Sequence, residues 1–180
     1  MIDFAVAVGV MVLANVSGKS LTDPMFAPIW AEIDKRGLPV LVHPTDPPGA
    51  ELMDMTQFDL SWAVGFMFDT TLAIARMMFD GFFDRFPRVP IIASHAGGAL
   101  PYLATRISRL ELQDDFAEKV PGGALPLLQR QFYDTALSTS APQLAALRRF
   151  VPDTQILYGS DFPFAPGMMG RTLAGLREYG

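Results

Sequence analysis

Three side chains in the sequence have the chemistry of a divalent-metal site, and each follows an apolar segment. His43 ends the run Leu41-Val42-His43-Pro44, and His95 ends Ala93-Ser94-His95-Ala96. Asp161 follows the apolar residues 156–159. Imidazole nitrogens and carboxylate oxygens suit Zn²⁺ and other first-row divalent ions, and catalytic sites keep one position open for water. The residue types therefore indicate a candidate metal centre.

The chemistry of such a centre is coherent, although each residue also has an ordinary structural explanation. A bound metal lowers the pKa of a water ligand or polarises a substrate oxygen, and a histidine beside it can move protons near pH 7. Taken singly, a histidine after a strand is often a hydrogen-bonded structural residue, and an aspartate before an aromatic-proline turn often caps that turn. The chain has only two histidines. Both end predicted parallel strands, where ligand sites lie, which favours a shared site.

Further polar or flexible positions lie near these residues. Asp134, on a predicted strand, either lines the same basin or accepts backbone hydrogen bonds. Gly97 and Gly98 are a weak signal for a phosphate cradle, and close passage of the backbone near His95 is the favoured interpretation.

An aromatic and methionine stripe runs through residues 56–83, which are predicted as one long helix. Such a stripe is typical of core packing. Trp62 or Phe66 could stack on an unsaturated substrate, but the spacing favours a place in the core.

The candidate residues need a scaffold, and the sequence predicts alternating strands and helices. Apolar, mostly β-branched runs predict strands at residues 8–14, 38–43, 91–94, 132–135 and 156–159. Helices are predicted at residues 25–36, 56–83, 99–116, 126–130, 141–150 and 171–179. Strand–helix alternation predicts an α/β fold with a buried parallel sheet. A length of 180 residues without a linker predicts a single domain over residues 1–180.

Composition excludes several classes of function. The net charge is −5, which argues against nucleic acid as a partner because such binders carry a basic face. The chain has no cysteine, so disulfides and thiolate metal sites are excluded. The apolar stretch 2–16 is too short to span a bilayer, and Asp3 replaces the basic start of a signal peptide. We therefore expect a cytoplasmic protein without a membrane partner.

Six stretches together resemble one known family, the amidohydrolase-related proteins that include aminocarboxymuconate semialdehyde decarboxylase and the resorcylate-type decarboxylases. The stretches are Asp23-Pro24-Met25-Phe26 with Ile29-Trp30, Gly37-Leu38-Pro39-Val40-Leu41-Val42-His43-Pro44, Phe83-Asp84-Arg85-Phe86-Pro87, Ser94-His95-Ala96-Gly97-Gly98, and Tyr158-Gly159-Ser160-Asp161-Phe162-Pro163. Each piece alone is weak, but the ordered set is specific and covers nearly the whole chain.

The resemblance implies a TIM (β/α)₈ barrel of the metal-dependent hydrolase type. It implies that His43 and Asp161 are metal ligands, and that Asp161 also handles a proton. His95 would act beside the metal-bound water as general acid or base, and in some members as a ligand. Zn²⁺ is the expected ion and Mn²⁺ the alternative. Family members decarboxylate or hydrolyse small carboxylic acids, amides or cyclic substrates, and homodimerisation is a family expectation.

The sequence departs from the family pattern at its start. The family begins with a strand that carries a His-x-His or Glu-x-His metal pair, and no such motif occurs here. A full barrel commonly needs about 250 residues, so the chain corresponds to about strands 4–8. A mean hydropathy of +0.25 fits a core whose covering elements are absent. Three explanations stay open: a truncated sequence, a second chain that supplies the first strands, or a remnant that oligomerises.

The leading functional hypothesis is a metal-dependent enzyme, with decarboxylation slightly favoured over hydrolysis. The alternative is an inactive remnant or interaction protein that keeps part of the metal site. A serine hydrolase is disfavoured because Ser94 and His95 are adjacent in sequence and no Gly-x-Ser-x-Gly elbow is present.

Overall fold

A five-stranded parallel sheet forms the centre of the protein, as seen in a computed structural model that describes residues 8–179. The strands follow one another in the order β1-β4-β5-β6-β7. Their ranges are Val10–Leu13 (β1), Val40–His43 (β4), Ile91–Ala93 (β5), Phe132–Asp134 (β6) and Ile156–Leu157 (β7). The predicted α/β class and parallel sheet are confirmed. Residues 1–7, with the first part of the apolar stretch 2–16, lie outside the described residues.

A short antiparallel hairpin lies between the first two strands of the sheet. Asn15–Val16 (β2) pairs with Lys19–Ser20 (β3), where the sequence predicted only a loop. The Asn15 side chain closes the turn, because its Oδ1 accepts a hydrogen bond from the Gly18 N–H at 2.9 Å. A two-residue strand has too short an alternation pattern to be recognised from sequence.

Eight helices accompany the strands in the described part of the chain. They are Ala27–Arg36 (α1), Phe66–Phe79 (α2), Phe82–Arg85 (α3), Leu100–Ser108 (α4), Asp114–Ala117 (α5), Ala124–Gln129 (α6), Ala141–Phe150 (α7) and Met169–Tyr179 (α8). Within residues 8–179, every helix is too short or too polar to cross a lipid bilayer.

Two long predicted helices are wrong in their extent. The predicted helix 56–83 is divided: a turn of 3-10 helix at Gln57–Asp59 and a π turn at Ser61–Gly65 precede α2, and Gly81 separates α2 from α3. Phe58, with φ of 58°, is in the left-handed region, which an α-helix does not tolerate. The predicted helix 99–116 breaks at extended Gln113, between a 3-10 turn and α5. Apolar spacing continues across both breaks, and it therefore misled the prediction.

The core lies between one face of the sheet and the helices packed on it. Val40, Val42, Ile91 and Ala93 are fully buried on that face. Their covering side chains come from several helices: Ile74 and Met77 of α2, Leu100 of α4, Leu128 of α6 and Leu147 of α7.

The opposite face of the sheet is less covered. Met11, Leu41 and Ile92 lie in register across β1, β4 and β5 on that face, and Met11, on the edge strand, is 50% exposed.

Candidate metal centre

The side chains of His43, His95 and Asp161 converge at one end of the parallel sheet. Asp161 Oδ1 lies 3.2 Å from His43 Nε2 and 3.3 Å from His95 Nε2. One ligand atom from each residue can be chosen so that all three lie within 4.8 Å of one another. All three side chains are almost completely buried. The structure therefore brings together the three residues that the sequence singled out.

The tautomer of His43 is fixed by the backbone. Its Nδ1 lies 2.8 Å from the carbonyl oxygen of Pro44, which has no proton to give. Nδ1 must therefore donate, and in the neutral ring Nε2 carries a lone pair. That lone pair faces the carboxylate of Asp161. Orientation of a histidine by a backbone carbonyl is the usual arrangement behind a metal ligand.

The tautomer of His95 is fixed in the same way by Ser94. The Ser94 hydroxyl donates to the carbonyl oxygen of Val42 at 2.8 Å, so its oxygen can accept from His95 Nδ1 at 3.2 Å. Nε2 of the neutral ring again carries a lone pair toward Asp161. Burial lowers the pKa of His95 below its ordinary value, although the nearby carboxylates of Asp134 and Asp161 oppose that shift.

Two imidazole lone pairs and one carboxylate oxygen therefore face one another with no hydrogen to share between neutral rings. Such an arrangement is electrostatically unfavourable unless a cation, either a proton or a metal ion, lies among them. Nitrogen and oxygen donors of this kind suit Zn²⁺ or Mn²⁺. The chemistry of the donor set thus fits a divalent ion held by these residues.

Backbone conformation at the centre is strained. His95 has φ of 54° and Asp161 has φ of 58°, a region that few residues other than glycine adopt. Strain of this kind costs about 1–3 kcal/mol and clusters at functional sites. This conformation occurs at two of the three converging residues and sets the direction of their side chains.

Asp134 stands behind the centre and holds the backbone of His95. Its Oδ1 accepts from the His95 N–H at 2.8 Å and from the Ala136 N–H at 3.0 Å. Burial raises the pKa of the Asp134 carboxyl above its ordinary value, while His95 acts in the opposite direction. Asp134 also lines a cavity of about 270 Å³ with His43 and Asp161, so both roles considered from the sequence are observed.

Gly97 and Gly98 are required by close packing. A Cβ at Gly97 would lie 2.6 Å from Tyr133 Cε1, and a Cβ at Gly98 would lie 2.2 Å from the Met67 carbonyl oxygen. Both have positive φ. These contacts confirm the close backbone passage near His95 that the sequence favoured over a phosphate cradle.

A cavity of about 430 Å³ opens beside the three converging residues. One wall is formed by Trp62, Phe66 and Met67, and Phe164 stacks on His43 with ring centroids 4.5 Å apart. Trp62 is 50% exposed. The prediction that Trp62 and Phe66 belong to the core is therefore wrong. Because 3-10 and π turns precede α2, Trp62 and Phe66 do not continue the apolar stripe of a single helix and lie over the cavity instead.

A family model described as amidohydrolase matches residues 3–177. The chain belongs to the amidohydrolase family. Among curated amidohydrolase relatives, 2-amino-3-carboxymuconate-6-semialdehyde decarboxylase of Dictyostelium discoideum is 30% identical over 178 residues, which are 95% of this chain and 48% of the relative. The 6-methylsalicylic acid decarboxylase of Penicillium expansum is 36% identical over 146 residues, 78% of this chain and 43% of the relative.

A solved structure with the same fold is that of 5-carboxyvanillate decarboxylase from Sphingomonas paucimobilis. It superposes with a TM-score of 0.79 at 22% identity, over 94% of this chain and 52% of that protein. At this identity the likeness shows the fold, which is that of the amidohydrolase TIM-barrel family. The chain spans about half the length of the relatives it matches.

Other residues of the site were missed at the sequence level. Asp69 is buried in α2, where its carboxylate accepts from the Asn15 amide at 3.1 Å and from the Thr45 N–H at 3.1 Å. This joins the hairpin, the loop after His43 and the helix beside the cavity. The signal available in the sequence was an acidic residue in a largely apolar helix.

Ser138 and Gln143 were also missed, and both line the cavity. Neither belongs to a recognisable motif. Ser138 lies in the loop after β6, and Gln143 lies in the first turn of α7. Only the packing of α7 against the site reveals them.

Proposed function

We propose that this amidohydrolase forms the catalytic part of a metal-dependent decarboxylase that acts on a small unsaturated or aromatic carboxylic acid. The observation that carries the proposal is the convergence of two imidazole nitrogens and a carboxylate oxygen on a largely apolar cavity. The chain's similarity to two curated decarboxylases supports the same reaction class.

In this proposal His43 and Asp161 hold a divalent cation, Zn²⁺ or Mn²⁺, through His43 Nε2 and Asp161 Oδ1, and His95 lies beside the cation with its Nε2 free to carry a proton. The bound cation supplies an electrophile that polarises a substrate oxygen and stabilises negative charge. Pro44 and Ser94 orient the two rings by their hydrogen bonds. Asp134 keeps the backbone of His95 in its strained conformation.

The protons of the reaction are assigned to His95 and Asp161. Loss of CO₂ leaves an electron pair on carbon, and that carbon must gain one proton for each CO₂ released. His95 has its pKa lowered by burial, so its protonated form is a stronger acid than a free histidine and gives up its proton more readily. Asp161, which faces both rings, returns a proton to the site after turnover.

The cavity walls fit a flat acid. Trp62, Phe66 and Phe164 line the cavity, and aromatic rings stack on unsaturated ligands. An apolar wall also excludes water from the substrate carboxylate. This favours the neutral product CO₂ over the charged carboxylate group.

The fold leads to a proposal about the rest of the barrel. We assign the five consecutive parallel strands to about strands 4–8 of a (β/α)₈ barrel, and residues 1–180 to one part of that domain. Further strands would complete the ligand set. Cytoplasmic location and homodimerisation stay predictions from the sequence.

The test combines metal analysis with turnover. Purified protein is loaded with Zn²⁺ or Mn²⁺ and dialysed, its metal content is measured, and CO₂ release is followed with 6-methylsalicylate and 2-amino-3-carboxymuconate semialdehyde. We expect about one ion per chain and turnover that a chelator abolishes. Protein without metal whose turnover resists chelation would refute the proposal.

A binding protein without turnover is the second candidate. It is favoured by one observation, that the centre offers three ligand atoms among the described residues. This alternative predicts bound metal and bound acid, but no CO₂ release under any metal.

A further inference from the structure

Gln143 occupies an unusual place, at the third position of α7 and on the wall of the cavity. Its Oε1 accepts from the Ser140 backbone N–H at 3.3 Å and from the Ser140 hydroxyl at 2.6 Å. Ser140 precedes the helix, so the pair forms the reciprocal contact of a capping box.

The cap decides which way the Gln143 amide points. A backbone N–H can only donate, so the amide atom that faces Ser140 must be the oxygen. The nitrogen Nε2 consequently lies on the other side of the amide. Among residues 8–179, no hydrogen bond uses this Nε2. Its two N–H groups are available to a ligand.

The surroundings show which ligand atoms these groups would meet. Gln143 lines the cavity that also holds His43, His95 and Asp161, together with an adjoining cavity of about 260 Å³. Met67, His95 and Ser138 line both cavities as well. Gln143 therefore stands where the two spaces meet.

The cavity linings contain no Lys or Arg within the described residues. An acid that enters must therefore find hydrogen-bond donors for its remaining oxygens in neutral groups. Apart from the three converging residues, the side-chain donors of the larger cavity belong to Trp62, Ser138 and Gln143. Trp62 and Ser138 each offer one donor hydrogen, whereas Gln143 offers two N–H groups whose direction the cap sets.

We propose that Gln143 is a substrate-binding residue whose Nε2 donates a hydrogen bond to an oxygen of the acid. The inference rests on the proposed function, because it assigns the acid to the same cavity. It makes Gln143 a determinant of affinity for oxygen-rich acids.

Gln143→Glu separates this role from capping. Glutamate is a normal third residue of a capping box and can accept from the Ser140 N–H, so the helix start is kept. The variant replaces the Nε2 donor by a second carboxylate oxygen, which repels an acidic ligand. We expect the Kd of 6-methylsalicylate for the metal-loaded chain to rise about 10- to 100-fold. KM should rise in parallel, with kcat nearly unchanged.

Two matched variants complete the test. Ser140→Ala removes the cap hydroxyl but keeps Nε2, so it should lower the melting temperature more than it weakens binding. Ala145→Glu adds the same charge at an exposed position of α7 outside both cavity linings, so binding should match the wild type.

Binding of 6-methylsalicylate is measured by calorimetry and its turnover by CO₂ release. If Gln143→Glu binds as tightly as the wild type and melts at the same temperature, the inference is overturned while the proposed function stands. If Gln143→Glu and Ala145→Glu weaken binding equally, the effect is one of net charge and the inference is also overturned. A wild-type chain that neither binds nor converts 6-methylsalicylate or 2-amino-3-carboxymuconate semialdehyde would overturn both the inference and the proposed function.

Discussion

The carboxylate of Asp134 accepts a hydrogen bond from the backbone N–H of His95, with Oδ1 2.8 Å from the nitrogen. The same oxygen accepts from the Ala136 N–H, so one buried side chain holds the loop that aims His95 at the centre. The sequence left two roles open for Asp134, lining the basin or accepting backbone hydrogen bonds. Its structural position makes it a support for the conformation of a neighbouring residue.

Removal of the Asp134 carboxylate should cost both stability and activity. Asp134→Ala leaves two buried N–H groups without an acceptor, at about 1–3 kcal/mol each. Asp134→Asn retains one amide oxygen and should lose clearly less. Urea unfolding measures the difference, and CO₂ release should fall at least tenfold in the alanine variant. Equal stability of the two variants would show that the carboxylate does not hold the loop.

Metal loading should stabilise the fold through His43 and Asp161. At a free concentration of Zn²⁺ or Mn²⁺ about 100 times Kd, the free energy of unfolding should rise by about 2.7 kcal/mol. His43→Ala and Asp161→Ala should each abolish this rise in thermal melting experiments. Lys35→Ala, on the exposed surface of α1, is the control and should melt with the same metal-dependent shift. A shift that survives in His43→Ala would place the ion elsewhere.

Trp62 should report ligand binding by fluorescence. The chain has two tryptophans; Trp30 is buried and donates to the Leu21 carbonyl, whereas Trp62 lies half-exposed on the cavity wall. Titration with 6-methylsalicylate, excited beyond the absorption of the acid, should quench the emission of Trp62. Trp62→Phe should keep binding within about tenfold by calorimetry but lose the quenching. Undiminished quenching in Trp62→Phe would show that the acid binds nearer Trp30.

The Asn15–Asp69 contact should matter to the fold as much as a core contact does. Asn15 Nδ2 donates to the Asp69 carboxylate and to the Asp46 carbonyl oxygen. Asn15→Ala removes these bonds and leaves a buried carboxylate with one donor fewer, which should cost about 1–3 kcal/mol in urea unfolding. Ser17→Ala, in the exposed turn of the same hairpin, should change stability by less than about 0.5 kcal/mol. Similar losses in both variants would argue that the hairpin as a whole is the important element.

Asp69 should also give the fold a specific pH dependence. Burial raises the pKa of its carboxyl, and hydrogen bonds from Thr45 and Asn15 only partly oppose that shift. The folded state therefore retains a proton that the unfolded chain loses near its ordinary pKa of about 4. Stability from this group is present below that pKa and is lost as the pH rises through the folded-state pKa. Asp69→Asn lacks this linkage.

The measurement for Asp69 is the difference in unfolding free energy between wild type and Asp69→Asn from pH 3 to pH 8. The difference should move in favour of the asparagine variant as the pH rises above about 4. A difference that is constant with pH, or that moves the other way, would show that the hydrogen bonds outweigh burial.

The sequence predicted the parts of the site that depend on strand ends. His43, His95 and Asp161 could be found because each ends an apolar run, and parallel strands bring such ends to one edge. The turns before α2 could not be found, because residues 56–65 keep an apolar composition while Phe58 adopts a positive φ. That local turn places Trp62 at the cavity, whereas the spacing of the apolar residues predicted that Trp62 lies in the core. The position of Gln143 at the cavity depends on how α7 packs, and no local sequence pattern indicates that packing.

The contact between His43 and Asp161 joins residues 118 positions apart. His43 ends β4 and Asp161 lies in the loop after β7, and two other strands separate β4 from β7 in the sheet. Strand β7 has only two residues, paired on one side with β6. An ion bound by both residues would hold the last and shortest strand of the sheet, β7, to the end of β4. Departure of the ion and fraying of the C-terminal strand with α8 would then be a single event, so the integrity of this end of the protein would follow the supply of metal.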